Sequence, residues 1–169
     1  MERDKGAEEL GEYKAEEAVD PYISPEFCQR LGLRPGHKVL DVGCGSGGSP
    51  FFMSRLYGVH VHGVDLSSNM IDLAVQRQTH LRRALRKRVI SVHFELRDIL
   101  DADYDASSYD VIYSRNSIFH IEKKEELFAK LYVSLQDEGV VKCENGTNGE
   151  SNSDQDYILE WPHTISDLR

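Results

Sequence analysis

The stretch that decides the fold is "KVLDVGCGSGGSPFF", residues 38–52. A short apolar run, Val39–Val42, is interrupted by the acidic Asp41, and four glycines then fall within six positions. Glycine after a first strand lets the backbone approach a ligand closely, and the N-terminus of the following helix offers free N–H groups. The pattern therefore predicts a strand, a ligand-binding turn and a helix that begins near Gly48.

The rest of the chain alternates strand-like and helix-like segments. Apolar residues recur at helical spacing in a long segment from Ser68 and again within residues 123–135, which predicts two further helices. This alternation is typical of an α/β fold with a Rossmann-like parallel sheet and helices on both faces. The remaining strands are predicted in "GVHVHGVDL" (58–66), "VISVHFELRD" (89–98), "YDVIYSR" (109–115) and "GVVKCE" (139–144).

Length and composition suit one domain of this type. The chain has 169 residues and a formal net charge of −9, which disfavours nonspecific binding to nucleic acid or to anionic membranes. Its three cysteines lack CxxC spacing, and no apolar run has the length of a membrane span. We expect a cytoplasmic protein with a loose N-terminal arm (1–20), a cofactor-binding domain (21–144) and a polar loop with a short tail (145–169).

The acidic residue beside the glycines separates two candidate cofactors. Gly43, Gly45 and Gly48 match the dinucleotide fingerprint G-x-G-x-x-G. A dinucleotide binds through its pyrophosphate, whereas S-adenosylmethionine has no phosphate and carries a sulfonium and an ammonium group. A carboxylate such as Asp41 suits the cationic cofactor and repels a pyrophosphate. S-adenosylmethionine is therefore favoured, and a nicotinamide cofactor is the alternative.

Two further acidic residues fall at the ends of the second and third predicted strands. Asp65 can accept hydrogen bonds from both ribose hydroxyls of either cofactor. Asp98 can accept one from the adenine amino group, while Ile99 packs on the ring. Each carboxylate also has a structural alternative, because Asp98 can cap a turn and Asp65 can cap the helix that begins at Ser68.

A resemblance to a known family rests on three segments: "VLDVGCGSGG" (39–48), "GVDLSSNMIDLA" (63–74) and "YDVIYSRNSIFHI" (109–121). Together they resemble class I S-adenosylmethionine methyltransferases, and most closely the phosphoethanolamine N-methyltransferases. The resemblance runs from Tyr22 to Val141 and implies methylation of a small phosphobase, phosphoethanolamine or its methylated forms, towards phosphocholine. It implies cofactor contacts for Tyr22, Ser24, Gly43, Gly45, Asp65, Leu66, Asp98, Ile99 and Arg115.

The resemblance also implies the catalytic residues. His120 matches a histidine that works with a tyrosine to lock and deprotonate the substrate. A base is needed because an alkylammonium has a pKa of about 10 and only the neutral amine attacks. The family has aspartate where this chain has Asn116, near the substrate amine, and this loss of charge should weaken cation binding.

The region after the fifth strand departs from the family pattern. The family supplies tyrosine, arginine and lysine residues there that hold the substrate phosphate, whereas this chain has a polar segment and a short tail. The usual C-terminal pair of antiparallel strands is expected to be missing. An alternative function is therefore a truncated S-adenosylmethionine-binding module with little or no catalytic activity.

Two groups of side chains are interpreted as having no binding role. His60, His62 and His93 lie on predicted strands without metal-ligand partners, so we expect core or surface roles for them and no metal site. The long helix ends in a group of basic residues, which we interpret as stabilising the helix C-terminus through its dipole rather than as a phosphate or RNA site. These are Arg82, Arg83, Arg86, Lys87 and Arg88.

Overall fold

The computed structural model describes residues 25–84, 90–101, 103–118 and 121–144. Their elements are α1 (Pro25–Arg30), β1 (Lys38–Val42), α2 (Gly48–Tyr57), β2 (His60–Asp65), α3 (Ser68–Ala84), β3 (Val92–Leu96), β4 (Tyr109–Arg115), α4 (Lys124–Ser134) and β5 (Leu135–Glu144). Five parallel strands form one sheet in the order β3-β2-β1-β4-β5. The predicted α/β fold with a Rossmann-like sheet is confirmed.

The central strand β1 separates two apolar clusters. Val39 packs into the cluster that α1, α2 and α3 complete, whereas Leu40 and Val42 pack into the one that α4 completes. Val39 and Leu40 are fully buried because successive strand residues face opposite sides of a sheet that helices cover on both faces. This explains why the first strand is an almost continuous apolar run.

Strand β5 is longer than predicted. The sequence predicts a strand over residues 139–144, but β5 begins at Leu135, directly after α4. Leu135 pairs with Tyr109, whereas Val140 pairs with Val111, so the intervening residues of β5 form an irregularity in the ladder. The polar triplet Gln-Asp-Glu at 136–138 falls in this irregularity and is untypical of a strand, so the sequence pattern predicted a strand only from residue 139.

Two other predictions concern the boundaries of the chain and the membrane. The arm at 1–20 and the tail at 145–169 lie outside the described residues. Within the described ranges, no helix has the length and apolar character needed to cross a membrane.

Candidate functional site

The turn after β1 is fixed to the carboxyl end of β2. We call residues 43–48 the glycine turn. The N–H groups of Gly43 and Cys44 both donate to the Val64 carbonyl, at 2.8 and 3.0 Å. The Gly45 N–H donates to Asp65 Oδ2 at 2.8 Å. The structure thus brings the glycines and the acidic residue of β2 into direct contact at the edge where parallel sheets bind ligands.

Asp65 also organises the start of α3. Its Oδ1 accepts a hydrogen bond from the Ser67 N–H at 2.8 Å, and Ser67 Oγ accepts one from the Met70 N–H at 3.4 Å. Ser67 therefore caps α3, and the structural role of Asp65 is to hold the turn just before this helix. This role is compatible with a ligand role because each carboxylate oxygen has two lone pairs. Leu66, beside it, is 67% exposed and offers an apolar surface at the same edge.

The segment after β4 closes over the glycine turn. Ser117 Oγ donates to the Val42 carbonyl at 2.6 Å and lies 2.8 Å from Ser114 Oγ, which donates to the same carbonyl at 2.9 Å. A Cβ atom at Gly43 would lie 2.2 Å from both Cβ and Oγ of Ser117. Gly43 also has φ +78, in the left-handed region that favours glycine. Sequence reasoning missed both serines.

Replacing Gly43 should therefore destabilise the fold. We expect Gly43→Ala to lower the free energy of unfolding by about 2–5 kcal/mol, of which about 1–2 comes from the left-handed backbone and about 1–3 from overlap with Ser117. The matched control is Gly36→Ala, because Gly36 has φ +86 and no described residue has a heavy atom within 4 Å of its Cβ position. It should lose only the backbone contribution. Denaturant unfolding measures both variants.

A double variant isolates the overlap. Ser117→Gly removes the two atoms that overlap a Cβ at position 43, so Gly43→Ala should cost less in that background than in the natural chain. Equal losses for Gly43→Ala and Gly36→Ala would contradict the packing that we describe.

Gly45 differs from Gly43 in its surroundings. No described residue has a heavy atom within 4 Å of a Cβ placed at Gly45, whose φ is +52. Within the part of the chain that the structure describes, the backbone at Gly45 therefore faces open space, and its N–H contacts the Asp65 carboxylate. A ligand that approaches the turn closely fits this arrangement.

Asp41 lies inside β1 rather than at an open strand end. It is 2% exposed, and its register neighbours are Gly63 and Tyr113. Burial raises the pKa of the Cys44 thiol above its ordinary value, and the charges of Asp41 and Asp65 raise it further. The carboxyl groups of Asp41 and Asp65 thus lie close to the glycine turn, and negative charge there favours a cationic ligand over an anionic one.

Asp98 lies two residues beyond the end of β3. Its Oδ1 accepts a hydrogen bond from the Leu100 N–H at 2.9 Å, so it does cap a turn. The preceding Arg97 N–H donates to the Asp65 carbonyl at 3.0 Å, which keeps the two acidic segments adjacent. Ile99 is 5% exposed and packs in the cluster under α4, so only a small part of its side chain can contact a ligand.

The remaining predicted residues divide into two groups. Arg115 is the half-buried last residue of β4, and the exposed Asn116 follows it with φ +56, a conformation that asparagine tolerates. Because Val42 pairs with Ser114, this segment meets the glycine turn at the same sheet edge. Tyr22, Ser24 and His120 lie outside the described residues, and their roles stay predictions.

A second cluster lies on β2 and β3, and sequence reasoning missed it. His62 Nε2 is 3.0 Å from Glu95 Oε2, and the ring centroids of His62 and His93 are 5.2 Å apart. Burial lowers the pKa of His62 despite the nearby Glu95 carboxylate. The expectation that His62 and His93 lack ligating neighbours is wrong, whereas His60 lies outside this cluster. The parallel register of β2 and β3 brings the three side chains together.

Comparisons with known proteins agree with this geometry. A family profile described as "Methyltransferase domain" matches residues 39–139. Phosphoethanolamine N-methyltransferase 1 of Arabidopsis thaliana is 45% identical over 116 residues, 69% of this chain and 22% of that protein. Its namesake in Triticum aestivum is 44% identical over 147 residues, 85% of this chain and 28% of that protein.

A solved structure is similar in both fold and sequence. It is Haemonchus contortus phosphoethanolamine N-methyltransferase 2 in complex with phosphomonomethylethanolamine and S-adenosylhomocysteine. The TM-score is 0.62 at 28% identity, covering 83% of this chain and 33% of that one. The chain thus spans about a quarter of the length of the plant relatives and a third of the nematode protein.

Proposed function

Because this chain belongs to the class I S-adenosylmethionine-dependent methyltransferase family, we propose that it binds S-adenosylmethionine at the glycine turn. We further propose that it methylates the amine of phosphoethanolamine or of its methylated forms, towards phosphocholine. The observation that carries the proposal is the hydrogen bond from the Gly45 N–H to Asp65 Oδ2, beside open space. This bond places the Gly45 backbone, which carries no side chain, beside the Asp65 carboxylate at the carboxyl edge of the sheet, where parallel sheets bind ligands.

The charges of the proposed site residues fit this cofactor. When bound, S-adenosylmethionine supplies an electrophilic methyl group on a positively charged sulfur. The carboxyl groups of Asp41 and Asp65 near the turn suit that charge and would repel the pyrophosphate of a nicotinamide dinucleotide. We assign the ribose hydroxyls to Asp65, the adenine amino group to Asp98 and the cofactor carboxylate to Arg115.

The substrate assignment rests on the relatives and on two residues of this chain. Relatives that match most of the chain are named as phosphoethanolamine N-methyltransferases. We propose that His120 removes the ammonium proton and that Asn116 lies near the amine. Holding the amine in line with the methyl group supplies much of the acceleration in such a transfer, so residues at this edge act chiefly by positioning.

A second candidate function is a cofactor-binding module with little turnover. Asn116 favours it, because an amide replaces the aspartate whose charge would attract the substrate cation. Both candidates bind S-adenosylmethionine, so binding alone does not separate them.

A methyl-transfer assay tests the proposal. The chain is incubated with methyl-labelled S-adenosylmethionine and, in separate reactions, phosphoethanolamine and its monomethyl and dimethyl forms, while calorimetry measures the binding of S-adenosylmethionine and NADH. We expect S-adenosylmethionine to bind, NADH not to bind, and label to appear in at least one phosphobase. Cofactor binding without product from any of the three substrates would favour the binding module. Failure to bind S-adenosylmethionine would refute both candidates.

A further inference from the structure

Three side chains with metal-ligating atoms converge on one face of the sheet near its β3 end. His62 pairs with His93 and Val64 pairs with Glu95 in the parallel register, so the three side chains share a face. Their ligand atoms all lie within 4.8 Å of one another. Zinc bonds of about 2.0–2.2 Å place tetrahedral ligand atoms about 3.3–3.6 Å apart, so side-chain rotations that close the widest separation by up to about 1.5 Å would let one ion contact all three.

Neighbouring groups already orient two of these ligands. The Tyr109 hydroxyl lies 2.7 Å from His62 Nδ1, which leaves Nε2 directed at Glu95 Oε2. Arg97 Nε lies 3.1 Å from Glu95 Oε1, the other oxygen of that carboxylate. Metal sites in proteins typically use such outer partners to fix the tautomer and orientation of histidine and carboxylate ligands. The arrangement therefore has outer contacts of the kind that orient metal ligands.

The cluster is also accessible from outside. His62 and His93 line a cleft of about 500 Å³ together with Lys38 and His60. Lys38, His60 and Tyr109 are the first residues of β1, β2 and β4, so the cleft opens at the amino ends of the strands. It is separate from the glycine turn, which lies at their carboxyl ends.

We propose that His62, His93 and Glu95 bind a zinc ion. The ligand atoms are Nε2 of His62, a ring nitrogen of His93 and Oε2 of Glu95. Two imidazoles and one carboxylate suit zinc, whereas magnesium and calcium prefer oxygen ligands alone. Three protein ligands would leave a fourth tetrahedral position that water can take. The ion would join β3 to its neighbour β2.

The test uses the untagged full chain, stripped of metal with a chelator and then dialysed. Zinc chloride is titrated in competition with a chromophoric chelator. We expect one zinc ion per chain and a higher melting temperature when zinc is present. His93 is exposed, and His93→Ala removes a proposed ligand. It should weaken zinc binding by more than about 10–100-fold, the loss expected when a residue that only orients a ligand is removed. Tyr109→Phe should weaken it by about 10–100-fold through the orientation of His62.

The matched control is His60→Ala. His60 is exposed, lines the same cleft and contacts Ser91 Oγ at 2.7 Å, but it is outside the cluster. Its zinc affinity should equal that of the natural chain. Circular dichroism verifies each fold, and Glu95→Gln replaces His93→Ala if the latter does not fold. The proposal would be overturned if the cluster variant and His60→Ala bound zinc with equal affinity, or if well under one zinc ion bound per chain. Cobalt substituted for zinc gives a further check, because an absorption spectrum with thiolate bands would show that cysteines bind the metal instead.

Discussion

Asp65→Ala is expected to weaken S-adenosylmethionine binding by roughly 10²–10⁴-fold. The estimate assumes two hydrogen bonds from ribose hydroxyls to a charged carboxylate, each worth about 1.5–3 kcal/mol. The same change removes the acceptor for the Gly45 N–H, so the glycine turn loses its link to β2 at the point where we place the cofactor. Calorimetry of the purified variant measures the change in affinity.

The two roles of Asp65 can be separated. The melting temperature without ligand reports the lost contacts to Gly45 and Ser67, whereas the affinity of the folded fraction reports the ribose contacts. Asp72→Ala is a suitable control, because Asp72 is an exposed aspartate on α3, and we expect it to bind S-adenosylmethionine normally. A less stable Asp65→Ala protein with unchanged affinity would contradict the ribose assignment.

His120→Ala should reduce turnover by roughly 10²–10⁴-fold while affinity for S-adenosylmethionine stays similar, since a positioned general base contributes about that much. The physical reason is the substrate ammonium, whose pKa of about 10 leaves little neutral amine at pH 7. Raising the pH should therefore restore part of the lost rate. The rate with saturating cofactor and substrate measures both effects.

A second histidine provides the control for this variant. His80 is exposed on α3, and His80→Ala should keep the natural rate. If His120→Ala loses cofactor affinity but keeps its turnover per bound cofactor, His120 has a structural role and the general base must be sought elsewhere.

Local signals explain why β1 and α2 could be predicted from the sequence. An apolar run, a dense set of glycines and a following helix depend only on neighbouring residues, and the predicted start of the helix near Gly48 is confirmed. The contact of the glycine turn with Asp65 also follows from the parallel-sheet prediction, because adjacent strands end at one edge. Those parts of the candidate site required no knowledge of side-chain packing.

The parts that could not be predicted depend on distant pairings. Ser117 contacts the carbonyl of Val42, 75 residues earlier, and no short motif marks such a contact. His62, His93 and Glu95 share a face only because β2 and β3 pair in one particular register, and shifting it by one residue would turn His62 away from the other two. The alternation in "VHVH" and "VHFE" is the only local trace of this cluster.

The strand order has a consequence for how the chain folds. β1 is at the centre of the sheet, yet its partner β4 lies far along the chain, as the 72-residue separation of Val42 and Ser114 shows. Closing a loop of this size costs conformational entropy before the pairing stabilises it. The β1–β2 unit can form early because its residues are close in sequence. The side of β1 that faces away from β2 stays unpaired until β4 pairs with it. During that interval β1 presents open backbone groups that other chains can pair with, so refolding yield should fall as protein concentration rises.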